Sequence, residues 1–135
     1  MIEVLQAYAP TIWGFLYIGG LLLVQLLVAD VVGLTGGHTP GSAVTTSHES
    51  FHFRATRAHA NTNESVASYL LLSLSGIGVG VEPQWLNLLS LAYCISRTFH
   101  MCFYWIGWGT LRSLSFIVSL LALFGILVAG VVSAF

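Results

Sequence analysis

Residues Arg54 to Ser65 read RATRAHANTNES and run directly into Val66 to Val81, VASYLLLSLSGIGVGV. Two arginines, a histidine, two asparagines and a glutamate therefore stand at the mouth of an apolar tract. In an ordinary soluble helix they would form a solvated start. The rest of the chain argues against that. Of its 135 residues 56% are hydrophobic and only 7% are charged, whereas a soluble domain carries roughly a quarter charged residues. So few charges cannot cover a water-facing surface, and the polar run needs another purpose.

Four apolar tracts, each near the 20 or so residues that a membrane-spanning helix requires, predict an all-α chain that crosses a bilayer four times. The first span runs from about Thr11 to Leu34, with Pro10 in its first turn. GLTGGHTPGSAVTTS (Gly33 to Ser47) breaks the pattern with four glycines and a proline and reads as a loop. Thr46 and Glu49 fit a capping box, so a second helix is expected from about residue 47 to 81. EPQ (Glu82 to Gln84) turns the chain into a third helix over about 84–106. GWGT (Gly107 to Thr110) leads to a fourth over about 111–135. This is a single-domain, integral membrane four-helix bundle over 1–135, with no internal repeat.

All four basic residues are arginines, and the net charge is −1, which excludes a phosphate-gripping, nucleic-acid-binding surface. Arg54, Arg57 and Arg112 fall at the first loop and the third turn, which share one membrane face, and the other face has no basic group. The positive-inside rule then places the first loop in the cytoplasm and both termini outside. The opening MIEVLQAYAP has no basic residue and does not read as a cleaved signal peptide. Cys94 and Cys102 lie eight residues apart in one tract, about 12 Å on a helix, too far for a disulfide. Gly125, Ala129 and Ser133 form a small-residue stripe suited to close helix approach.

The polar residues fall into two stripes. Arg57, Asn61 and Glu64 share one face of the second helix, and Arg97, His100 and Tyr104 share one face of the third. Glu64 and Arg97 both come roughly 15 Å from the cytoplasmic end by helical rise. An unpaired ion at that depth costs several kcal/mol, so the two are expected to pair across an inward-facing cavity. The simpler alternative is a clasp that only fixes helix register. With Arg112 added at the start of the fourth helix, the cluster suggests a polar ligand. A rival motif is HESFH (His48 to His52), which matches the H-E-x-x-H zinc signature, with His59 as a conceivable third ligand. It falls in a polar approach to the membrane, and no metal is expected.

At these residues the chain resembles the membrane-associated proteins in eicosanoid and glutathione metabolism, the family of microsomal glutathione transferases and leukotriene C4 synthase, and especially its short bacterial members. RATRAHANTNES and SRTFHMCFYWIGWGTLRSLSF (Ser96 to Phe116) carry the resemblance. It implies a homotrimer in the bacterial inner membrane, with glutathione as co-substrate held between subunits. Arg54, Arg57, Asn61, Glu64, Arg97, His100 and Tyr104 would bind it, with Glu64 at the γ-glutamyl amine, and Arg112 would stabilise the thiolate. Small lipophilic substrates would arrive from the membrane lipids. The alternative the resemblance leaves open is a non-catalytic scaffold or accessory subunit that binds lipid or a hetero-partner. The chain departs from the pattern in three places. Ser65 stands where many members have tyrosine, His100 replaces a tyrosine, and Val31 to Phe53 contains no lysine or arginine.

Overall fold

A computed structural model describes residues 2–135. They form a short helix α1 (Ile2–Ala7) and four long ones, α2 (Ala9–Thr35), α3 (Phe51–Gly78), α4 (Pro83–Ile106) and α5 (Gly109–Ala134), with no strand among the described residues. The chain is all-α, as its apolar periodicity predicts. α1 was not expected from the sequence. It is linked to α2 through Tyr8, whose hydroxyl donates to the Val81 carbonyl at 2.7 Å in the turn between α3 and α4. Asn87 of α4 joins the same end by donating to the Ala7 carbonyl and accepting from the Thr11 hydroxyl.

α3 and α4 form the central pair, with α2 and α5 on the flanks. The flanking helices are the two that are long and apolar enough to cross a membrane. α3 and α4 carry the polar stripes. The burial pattern is inverted relative to a soluble protein. Thr62, Ser73, Ser90, Arg97 and Ser119 are enclosed, while Trp13, Leu16, Leu71, Phe124 and Val132 are between 63 and 73% exposed. Small and polar side chains between helices, with an apolar exterior, suit packing in lipid.

Glycines set two of the joints. α2 ends in a Schellman turn: His38 N–H reaches the Gly33 carbonyl, Gly37 N–H reaches Leu34, and Gly37 takes φ +76. α4 ends the same way at Gly107, φ +82, with Trp108 N–H on the Phe103 carbonyl. The Gly125 and Ala129 positions of the small-residue stripe pack within the chain, with Leu89 of α4 seated against Gly125. Ser133 is exposed. Both cysteines are free, Cys94 buried and Cys102 exposed.

The start of α3 corrects the sequence expectation. The capping box at Thr46 and Glu49 does not form. Ser50 is the N-cap, its hydroxyl accepting from Phe53 N–H. A helix begun at residue 47 would need the His48 and Glu49 carbonyls for its own ladder. Arg54 Nη1 takes both instead, at 2.7 and 2.8 Å. The loop between α2 and α3 therefore runs to residue 50.

Candidate functional site

α3 has two working faces. Its inner face buries Ala55, Ala58, Thr62, Tyr69, Ser73 and Gly76 at helical spacing. Arg57 and Glu64 lie on its outer face, both exposed, with Asn61 half-buried at the edge between the two. Glu64 is about 20 Å from either end of this 28-residue helix at the usual rise.

The expected Glu64–Arg97 pair is not made. Arg97 is fully enclosed. Its Nη2 donates to Asn61 Oδ1 and to Thr62 Oγ1, each at 2.9 Å. Its Nε and Nη1 have no hydrogen-bond partner among the described residues. No ion pair forms because α4 packs on the Thr62 side of α3, which leaves Glu64 exposed. The inward cavity expected from the sequence is thus replaced by an outward-facing polar strip, with Arg97 acting on it from behind.

A second cluster gathers where the loop meets α4 and α5. His100 is buried beside Tyr104, their rings edge-on at 5.3 Å. The Arg112 guanidinium lies over the Tyr104 ring, 4.5 Å from its centre. Its Nη1 approaches His48 Nδ1 at 3.5 Å, and the His48 ring stacks on Tyr104. Arg54 fastens this corner, with Nε on the Trp105 carbonyl at 3.1 Å and Nη1 on the loop carbonyls. These contacts occupy Nε and Nη1 of Arg54, the arginine nearest a loop that has no lysine or arginine of its own.

HESFH does not make a metal pair. His48 lies ahead of the helix against Tyr104. His52 is in the first turn of α3 and turns to the opposite flank, where its ring meets His38 at 4.7 Å and lies against Gly33. No group of three His, Cys, Asp or Glu among the described residues could hold a metal ion. His38, His52 and His59 instead line a cavity of about 380 Å³ between α2, α3 and the loop, apart from the outer strip. Ser65 Oγ shares a 2.7 Å hydrogen bond with the Tyr93 hydroxyl of α4.

The MAPEG family matches residues 10–132. The chain belongs to the MAPEG family. The matched span takes in all four long helices, and so both stripes and the Arg112 corner. No curated protein and no solved structure matches the chain. Membership accords with two helices able to cross a membrane. Within this MAPEG chain, sequence spacing correctly grouped Arg57 with Glu64 and His100 with Tyr104. It missed His48, which had been noticed only as half of a zinc motif, because no periodicity links a loop residue to α5.

Proposed function

We propose that this chain is an integral membrane enzyme that activates glutathione, or a related small thiol, for conjugation to lipophilic electrophiles or reduction of lipid hydroperoxides. It works as a homotrimer of four-helix protomers, with the thiol held between neighbouring copies. The observation that carries this reading is the exposed Arg57–Asn61–Glu64 strip halfway along α3. Ionisable groups facing lipid at that depth are costly, so a partner surface must cover them. A second copy would do so, leaving room for a zwitterionic guest whose carboxylate suits Arg57 and whose ammonium suits Glu64.

The Arg112 corner complements that strip. A guanidinium beside a thiol favours its anion, the nucleophilic form. In conjugation the sulfur forms the new carbon–sulfur bond, the electrophile's leaving group departs, and the thiol proton passes to water. An apolar groove of about 380 Å³ between α4 and α5, lined by Ile95, Phe99, Phe103 and Leu114 among others, offers a path for a lipophilic acceptor. No metal or organic cofactor enters this scheme. Arg54, Arg57 and Arg112 at one end favour the first loop in the cytoplasm and both termini outside, in a bacterial inner membrane.

Calorimetric binding of glutathione to the detergent-solubilised protein tests the reading. Glu64→Gln is expected to weaken affinity about tenfold or more, as for a lost charged hydrogen bond. The melting temperature should fall little, because exposed Glu64 makes no hydrogen bond or ion pair with another side chain among the described residues. Absence of binding at millimolar glutathione would favour the second reading, a non-catalytic lipid- or partner-binding scaffold. A loop without lysine or arginine and the preoccupied Arg54 are the features that support that alternative.

A further inference from the structure

Among the described residues Arg97 is the largest fully enclosed side chain, a cation set among helices with no hydrogen-bond partner there for two of its three nitrogens. Burying such a group costs stability that a neutral residue of similar size would not cost. Its two short contacts, to Asn61 Oδ1 and Thr62 Oγ1, suggest a role for it. A guanidinium has donors only. The atom of Asn61 that faces Arg97 must therefore be the oxygen, however the amide is assigned. Asn61 Nδ2 is then turned away, toward the outer strip, with Arg57 one turn before it and Glu64 one turn after. A glutamine at position 97 could meet Asn61 in either amide orientation. An obligate donor removes the choice.

We infer that Arg97 is a positioning residue that holds Asn61 as a pure hydrogen-bond donor, making the centre of the outer strip selective for a carboxylate oxygen. This deepens the thiol reading and rests on it. The end group recognised is an α-amino acid, its carboxylate shared by Asn61 Nδ2 and Arg57 and its ammonium taken by Glu64. Arg97 itself touches none of it. Selectivity is set one layer behind the surface that binds.

The test separates donor polarity from stability. Asn61→Asp keeps an acceptor for Arg97 and gives it a counter-ion, but removes the outward donor. Its melting temperature should equal or exceed that of the wild type, while glutathione affinity falls at least about tenfold. The wild type should prefer glutathione over its analogue lacking the γ-glutamyl carboxylate, and Asn61→Asp should lose that preference. Arg97→Gln, which frees the amide to turn, should shrink the same preference without abolishing assembly. Wild-type-like affinity in Asn61→Asp, an undiminished preference in either variant, or failure of Asn61→Asp to fold would overturn the inference. Failure of the wild type to bind glutathione would instead overturn the thiol reading beneath it.

Discussion

Arg112→Ala is expected to abolish the ultraviolet thiolate signal of protein-bound glutathione at neutral pH and to lower turnover about a hundredfold. The guanidinium is already ordered, lying on the Tyr104 ring with its edge toward His48 Nδ1. Unit charges about 4 Å apart at an effective dielectric constant near 20 attract by about 4 kcal/mol. That amounts to roughly three pH units on a thiol that otherwise ionises near 8.5. With Arg112 in place the bound sulfur is mostly anionic at neutrality. Without it, only a few per cent is. Arg112→Lys should recover part of the signal, because it restores the charge but not the flat stacking on Tyr104. Glutathione binding should survive in Arg112→Ala, since the outer strip of α3 is untouched. A full thiolate signal in that variant would remove Arg112 from the chemistry.

The second large effect concerns architecture. Gly14 of α2 lies where the helix presses on both central helices. A Cβ there would collide with the Tyr69 hydroxyl and come within 2.9 Å of Ser90 Oγ and 3.3 Å of Cys94 Sγ. Tyr69 and Ser90 are fully buried and hydrogen-bonded to each other, so neither can withdraw to water. Gly14→Leu should therefore destabilise by about 3 kcal/mol or more, combining overpacking with an orphaned buried hydroxyl. Gly19→Leu is the matched control. It lies in the same helix, a Cβ there meets nothing within 4 Å, and it should melt like the wild type. Thermal melts of the two variants in one detergent give the comparison. Equal melting temperatures would mean that α2 can slide off its partners at no expense.

Which parts of this molecule could be read from the sequence follows from what periodicity can encode. α4 (Pro83–Ile106) comes within a residue of expectation because a proline and a glycine mark its ends. α1 has six residues, too few for a period to register. The start of α3 was misplaced because the deciding contacts come from the Arg54 side chain, not from a local cap. The same limit explains the missing ion pair. Spacing shows that Arg57, Asn61 and Glu64 share a face of α3, but not how α3 is rotated against α4. The rotation brings Thr62 and Asn61 to Arg97 and leaves Glu64 outside. Residue types and shared faces were legible. The assignment of each face to a neighbour was not, and it encloses Arg97 against Asn61 and Thr62 instead of pairing it with Glu64.

Arg54 ties the last turn before α3 to the end of α4, so residues from His48 onward have an anchor besides the His38–His52 and Ser47–Ser50 contacts that reach them from the loop. The stretch from Thr39 to Thr46 can then change length or charge without moving His48, Tyr104 or Arg112. If the proposed thiol chemistry holds, a longer, lysine-bearing connection grafted at that point would retune which thiol is taken up and leave the Arg112 corner as it is. Homologues that differ most in this connection would be expected to share chemistry while diverging in what they capture.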